Sequence, residues 1–264
     1  MNRPEIICEI GINFQGDMGL AWKMIKKAKE AGADCAKFQL YDPEDILKPT
    51  WFSNVDWQAI KASKLSFAQV LLLNSCCINE GIEFMASAFD LNRLNWLEDL
   101  YVKRHKIASR SIFDEEYVRA VQKTGKPYIV SMGWLDEDNV DVRLHSLWLE
   151  KTGKENWFDV IKRLGFKTHD VKFLYCVSKY PSALSDLKNF PLTYHDDYND
   201  GFSDHTPGVT AAIVALSRGA QIIEKHVTLD KDLPGPDHAG SITFDELKQI
   251  CDFRDQLTKL SDMW

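Results

Sequence analysis

The sequence predicts an α/β protein of the (β/α)8, or TIM barrel, kind, built as a single domain. Eight short β-branched or apolar runs recur along the 264 residues, and helical patterns separate them. Polar and charged residues gather at the C-terminal ends of those runs, where barrels of this kind carry their chemistry. Parallel neighbours need a crossover of about a dozen residues or more, which the helical patterns supply. A doubly wound sheet is the alternative, but no Gly-x-Gly-x-x-Gly turn follows the first run.

The first strand is expected over 5–11 and the second over 35–41, with a helix over 18–31 between them. Leu20, Met24, Ile25, Ala28 and Ala31 mark one face of that helix, and Gly32 reads as its C-cap. Further strands are expected over 83–89, 104–109, 127–132, 171–177, 200–204 and 221–227, with Gly81, Gly125 and Gly219 standing where Gly32 stands, ahead of a strand. Two stretches break the rhythm. Residues 42–65 read as a long connection rich in Pro, Trp and Asp. Residues 134–170 carry more helix than one crossover needs, including Trp148, Trp157 and Phe158, with a turn near Gly153. No linker, repeat or low-complexity tract divides the chain.

Hydrophobic content of 45% and charged content of 27% describe an ordinary soluble globular chain. A net charge of -7 and the lack of any basic run argue against a nucleic-acid partner. No stretch approaches the roughly 18 apolar residues of a membrane span. The start, Met1 to Cys8, leads straight into a strand without the apolar core of a signal peptide. Six cysteines, at 8, 35, 76, 77, 176 and 251, show no Cys-x-x-Cys spacing and read as reduced thiols. A cytoplasmic location is the expectation.

The strand ends carry the candidate site. The first offers Glu9 and leads to Asn13; the second offers Lys37 and Gln39; the third ends at Ser87. Lys106 and Ser109 follow on the fourth, Ser131 on the fifth, and Ser178, Lys179 and Tyr180 on the sixth. The seventh gives Ser203, Asp204 and His205, and the eighth Glu224, Lys225 and His226. Two lysines with several hydroxyls on one rim suit a phosphate and a carboxylate held as anions; outward salt bridges are the competing reading of Lys37 and Lys106, and small-residue packing that of the serines. His205 or His226 alone would read as a capping or core histidine. One βα unit apart at neighbouring strand ends, they suit a divalent metal with open coordination positions. Asp237 and His238 follow in a Pro/Gly-bent loop. Glu9 suits a general base or acid, or a structural partner for a lysine. Glu224 and Lys225 read as internal support or rim pairing, and His105, His145, His169 and His195 as surface or loop histidines.

These residues resemble the N-acetylneuraminate (sialic acid) synthase family, which includes the pseudaminic and legionaminic acid synthases and a spore-coat polysaccharide enzyme. The resemblance rests on Ile6-Ile-Cys-Glu-Ile-Gly-Ile-Asn13, Gly32-Ala-Asp-Cys-Ala-Lys-Phe-Gln39, His105-Lys-Ile-Ala-Ser109 and Lys126-Pro-Tyr-Ile-Val-Ser-Met-Gly133. Its most specific parts are Phe202-Ser-Asp-His-Thr206 and Glu224-Lys-His226 through Asp237-His238. It implies a barrel enzyme that condenses phosphoenolpyruvate with a sugar aldehyde, giving a 2-keto-3-deoxy sugar acid and phosphate by C–O cleavage. It implies a divalent metal on His205 and His226, Mn2+ first, with Mg2+ or Co2+ as alternatives. By match to the motifs, Lys37 and Ser87 hold the carboxylate of phosphoenolpyruvate, and Lys106, Ser109, Ser131 and Ser203 its phosphate, with Ser178 beside them. Gln39 and Tyr180 line the sugar or phosphate side, and the catalytic residues are Glu9, which manages the proton of the water, and Asp237, which orients the sugar or a metal-bound water.

The sequence also departs from the family pattern. The usual Asn-His of the first loop is Asn13-Phe14, which removes a polar group expected at the rim. The acid after Lys-Ile-Ala-Ser, which helps read an acylated amino sugar, is replaced by Arg110 and Ser111. A familiar Asn is Ser178, followed by Lys179, a new charge expected to rebalance phosphate binding. The expectation is a catalytic barrel over 1–264 without the small antifreeze-like domain, so that a homodimer would use barrel surfaces, with Trp51, Trp57, Trp148 and Trp157 as candidates if exposed. Two other functions compete: a Schiff-base aldolase on Lys106 or Lys37, and a non-catalytic sugar- or partner-binding barrel.

Overall fold

All eight apolar runs form strands in the computed structural model, which describes residues 3–46, 53–133, 157–166, 170–194 and 199–263. They are β1 (Glu5–Gly11), β2 (Cys35–Leu40), β3 (Glu83–Ala88), β4 (His105–Ile107), β5 (Tyr128–Ser131), β6 (Val171–Cys176), β7 (Gly201–Asp204) and β8 (Ile222–His226). Every neighbouring pair is parallel and follows chain order, and β1 pairs with β8 to close the barrel. Closure leaves no sheet edge and brings all eight C-terminal ends to one rim.

Helix α1 (Met18–Ala31) forms where its apolar spacing predicts. Asp17 caps it by accepting the N–H groups of Gly19 and Leu20, and Gly32 ends it in the left-handed region at φ 93°. Its fully covered face is Ala21, Met24, Ile25, Ala28 and Ala31, while Leu20 is only half-buried at the margin. Residues 42–65 are more ordered than a connection. They hold a helical turn, α2 (Pro43–Ile46), and a helix, α3 (Asn54–Ala62), capped by Ser53. Trp57 and Ile60 of α3 pack with Ile12 and Tyr41 into a small cluster of their own, so Trp57 is a core residue rather than a docking surface. The side chains of Trp51, Trp148 and Trp157, and the turn near Gly153, lie outside the described residues.

Among the described residues the remaining α-helices are α4 (Phe67–Glu80), α5 (Leu91–Asp99), α6 (Glu115–Lys123), α7 (Trp157–Leu164), α8 (Thr210–Ser217) and α9 (Phe244–Ser261). Between β6 and β7 the described residues show only a short 3-10 turn, Leu184–Asp186, rather than the expected crossover helix. Phe190 fills this side by packing against Tyr175 and Phe202 of the two strands, with ring centroids 5.8 and 5.1 Å away. Among the described residues no helix is long and apolar enough to cross a membrane.

Two apolar layers hold the barrel. Outward-facing strand residues such as Ile6, Ile10, Phe38 and Ile223 pack under the helices. Inside, Ile7, Cys35, Met85, Ile129, Leu174 and Ile222 form a separate plug. Strand side chains repeat every two residues, so the next inward positions above that plug are Glu9, Lys37, Ser87, Ser131, Cys176 and Glu224. An apolar floor therefore carries a polar layer. The cysteines are all free thiols, and burial raises Cys8 and Cys35 well above the usual range and Cys77 and Cys251 to about 12.

At the N-terminal side of the strands, α9 is latched by Arg254, which is fully buried. Its Nη1 donates to Asp34 Oδ2 at 2.6 Å, its Nη2 to the Gly32 carbonyl at 2.9 Å and its Nε to Asp255 Oδ1 at 2.8 Å. Asp34 also accepts the Ile6 N–H at 2.8 Å, so the latch joins α9 to β1 and β2. Arg254→Met is expected to lower unfolding free energy by about 2–3 kcal/mol, at or below the range for a broken buried pair because Asp34 keeps some solvent and its contact with Arg3. Urea denaturation measures this, and an unchanged midpoint would show that the latch adds nothing.

Candidate active site

The polar layer is a ring of alternating charge. Lys37 Nζ lies 2.7 Å from Glu9 Oε2 and 3.6 Å from Glu224 Oε2, and Lys106 Nζ lies 3.5 Å from Glu224 Oε1. All four side chains are buried, which excludes the outward salt-bridge reading of the two lysines. Hydroxyls and one amide complete the ring. Lys106 donates to Ser131 Oγ at 2.6 Å, Lys37 to Ser87 Oγ at 3.4 Å, Ser203 to Glu224 Oε1 at 3.0 Å and Gln39 to Glu9 Oε1 at 3.0 Å.

Burial makes each charge costly, and the partners decide which way each group moves. Burial pushes the Glu224 carboxyl up, but Lys106, Lys37 and His226 outweigh it and hold it down to about 2. Burial raises Glu9 in spite of Lys37. Lys37 is raised because Glu224 and Glu9 outweigh its burial, whereas burial prevails at Lys106 and lowers it. Glu224 is thus the shared counter-ion of both lysines. Sequence reasoning treated it as internal support; its inward position two residues before His226 was the available signal.

Next to Lys106, the ends of β4, β5 and β6 close into a small cradle. The Gly133 N–H donates to Ser109 Oγ at 3.0 Å. A Cβ at Gly133 would lie 2.3 Å from Ser178 Oγ and 3.2 Å from Ser109 Oγ, so only glycine lets these hydroxyls converge. Lys106, Ser109, Ser131 and Ser178 are therefore brought together as expected. Ser203 instead faces Glu224, and Ser87 sits with Lys37.

Above the ring stand the two histidines. His226 ends β8 opposite Glu9, His205 follows β7, and their ring centroids are 5.5 Å apart. His205 Nδ1 is 2.7 Å from the Val177 carbonyl and must donate to it, which leaves the lone pair on Nε2 when the ring is neutral; burial pushes its pKa down, but Cys176 and Val177 outweigh burial and raise it. His226 Nδ1 is buried without a hydrogen bond, 3.6 Å from Asp237 Oδ2. Burial, then repulsion from His205 and Lys37, holds His226 well below its usual value, so its ring is neutral at neutral pH. Burial and Glu9 push Asp237 up to about 6. Tyr180 lies over the pair, its ring centroid 4.1 Å from His205 and 5.9 Å from His226. Tyr180, Pro181, Pro236 and Asp237 line the cleft that opens here. Gly11, at φ 56° in the left-handed region that favours glycine, turns the first loop past this corner, and a Cβ there would lie 3.3 Å from Glu9 Oε1.

Several sequence expectations are corrected. Phe14 does not vacate a place at the rim: it is fully buried under the helices, edge-on to Phe38 at 5.9 Å. Asn13 ties loops together, donating to the Val227 carbonyl at 2.7 Å and to Ser241 Oγ at 2.9 Å, and Ser241 in turn donates to the Asp237 carbonyl. Lys179 does not rebalance the cradle, because its ammonium pairs with Asp186 at 2.9 Å. His105 is no surface histidine; it is buried, with Nε2 2.8 Å from Glu98 Oε1. His145, His169 and His195 lie outside the described residues. Glu224 and Lys225 do not pair with each other, since alternation sends them to opposite faces. His238 braces its loop through Thr228 Oγ1 at 2.7 Å. Arg110 and Ser111 sit on a 3-10 turn, Ser109–Phe113, with the Arg110 guanidinium 5.9 Å from the Phe89 ring and lowered by burial to about 10.

The chain matches the model of the NeuB family over residues 24–262. It is 34% identical to N,N'-diacetyllegionaminic acid synthase of Legionella pneumophila, over 93% of this chain and 69% of that protein. It is 31% identical to pseudaminic acid synthase of Campylobacter jejuni, over 94% of this chain and 71% of that protein. The solved structure of N-acetylneuraminic acid (sialic acid) synthetase from Leptospira borgpetersenii superposes with a TM-score of 0.78 at 28% identity, covering 98% of this chain and 85% of that one.

Glu224→Gln leaves two buried ammonium groups with one carboxylate. The variant is expected to lose about 2–4 kcal/mol of stability, limited by the ease with which Lys106 sheds its proton. Added inorganic phosphate should restore part of the loss. Urea titrations with and without phosphate measure both effects, and an unchanged midpoint would show that Glu224 does not compensate the lysines.

Proposed function

The chain belongs to the NeuB family, and on that premise we propose that it condenses phosphoenolpyruvate with a sugar aldehyde to form a 2-keto-3-deoxy sugar acid and phosphate. The observation that carries the reading is the ring of Lys37, Glu224 and Lys106 beside the serine cradle. Glu224 answers both ammonium groups only at 3.5–3.6 Å, and burial raises Glu9, so Lys37 and Lys106 can turn to a donor with two anionic ends. Lys37 and Ser87 take the carboxylate. Lys106, Ser131, Ser109 and Ser178 take the phosphate, and Ser203 steadies Glu224 between them.

The pair His205 and His226 suits a divalent cation. One imidazole is fixed by its Val177 hydrogen bond with Nε2 open, and the other has an orphaned buried Nδ1 beside a carboxylate. Mn2+ is the first candidate, with Mg2+ and Co2+ as alternatives. When bound, such an ion supplies Lewis-acid polarisation of an aldehyde. Tyr180, Gln39 and Asp237 line the space left for the sugar.

In the reaction, C3 of phosphoenolpyruvate forms the new C–C bond to the aldehyde carbon, whose oxygen takes up a proton. Water adds at C2, and Glu9, raised by burial and held by Lys37 and Gln39, accepts its proton. The C2–O bond to the phosphate then breaks, the C2 hydroxyl gives its proton to the departing phosphate, and a ketone remains at C2. Asp237, above its usual range, is suited to hold or release a proton on the sugar side.

Phosphate release from phosphoenolpyruvate, measured with Mn2+ across a panel of N-acylated and plain aldoses, tests the reading. Release with at least one sugar is expected, with the bridging oxygen of labelled phosphoenolpyruvate found in phosphate. No release with any sugar would sink it, and borohydride trapping of a pyruvate adduct on Lys106 would favour an aldolase. Lys106→Met should lower kcat/KM for phosphoenolpyruvate by about 10–100-fold, the value of one charge-assisted contact. His226→Ala should abolish Mn2+ binding and turnover with the fold intact by circular dichroism; unchanged turnover would refute the metal assignment.

A further inference from the structure

Behind the barrel wall, β7 and β8 carry a second pair of opposite charges that the proposed reaction does not use. Alternation puts Ser203 and His205 on the inner face with Asp204 outward, and Glu224 and His226 on the inner face with Lys225 outward. Both outward side chains are wholly buried, and Lys225 Nζ donates to Asp204 Oδ2 at 2.7 Å. Asp204 Oδ1 accepts the Thr206 N–H at 2.8 Å and the Thr206 hydroxyl at 2.7 Å. Lys225 also donates to the Thr206 carbonyl. Both backbone polar groups of Thr206 and its hydroxyl are thus held by one ion pair.

The placement matters because the sheet ends here. The β7–β8 register runs from Gly201↔Ile222 to Asp204↔Lys225, and His205 lies one residue beyond it. The ion pair continues the connection where the ladder stops. It grips the residues on either side of His205, and its lysine immediately precedes His226. A buried ion pair contributes little net stability against apolar side chains of similar volume. An apolar pair could not hold the N–H, O–H and C=O of Thr206.

We propose that Asp204 and Lys225 are positioning residues that set the separation and orientation of His205 and His226, and through them the affinity for a divalent cation. The inference rests on the metal reading given above. Lys225→Met alone leaves Asp204 buried without a cation, so failure to fold is expected of it. The working variant is Asp204→Asn with Lys225→Met, which keeps an acceptor for Thr206 and removes only the tie between the strands.

Mn2+ affinity, from the electron paramagnetic resonance of free ion, and phosphoenolpyruvate affinity, from calorimetry, are compared in the parent and the double variant. A Kd for Mn2+ raised about 10-fold or more is expected, with phosphoenolpyruvate affinity and thermal midpoint close to the parent's. Unchanged Mn2+ affinity in the folded variant would overturn the inference, as would equal losses for both ligands, the mark of a merely structural pair. A parent that binds no divalent ion would overturn the metal reading and the inference with it. If the double variant does not fold, Thr206→Val keeps the ion pair and loses the hydroxyl tie; about threefold weaker Mn2+ binding is then expected, and unchanged affinity overturns the inference.

Discussion

Two ammonium groups enclosed in a barrel must be neutralised, and the structure turns on how Glu224 does this for both Lys37 and Lys106. Neither lysine could stay charged at this depth without a counter-ion. With Glu9 as a second carboxylate the ring is formally neutral, yet its charges are spaced so that an incoming anion can compete for the ammonium groups. Ser203 and Ser131 restrain the partners from opposite sides.

That arrangement depends on the floor beneath it. The plug of Ile7, Met85, Ile129, Leu174 and Ile222 fills the lower barrel and leaves the polar layer open only upward, toward the rim. Parallel closure then places the histidine pair above Glu9 and the rest of the charged ring. The charged ring and the histidine pair are thus stacked along the barrel axis, and Tyr180 and Asp237 line the cleft above them. Where the β7–β8 ladder ends, the ion pair of Asp204 and Lys225 takes over the work of holding the two imidazole-bearing turns.

The strands and α1 were legible because their signals are local: short β-branched or apolar runs, the helical spacing of Leu20 to Ala31 and a Gly32 stop. So was most of the site, since polar residues at the ends of barrel strands have few other reasons to be there. Misreadings came where a residue's partner lies far along the chain. Phe14 looked like a rim residue until Phe38 claimed it for the core. Lys179 looked like a charge that would rebalance phosphate binding until Asp186 took it. His105 looked superficial, yet it is covered and faces Glu98. Helix α3 was missed because a mixed, Trp- and Asp-containing stretch gives a weak periodic signal, and its Trp57 acquires meaning only against Tyr41 and Ile12.

The sequence by itself determined the barrel, the order of its strands and which residues reach the rim, because alternation and crossover length depend only on neighbours in the chain. The tertiary structure alone decided which carboxylate answers which lysine, that Glu224 and Lys225 face opposite ways into different ion pairs, and that His226 keeps an unbonded nitrogen toward Asp237. Those outcomes depend on distances across the barrel and on burial, and neither is a property of any segment on its own.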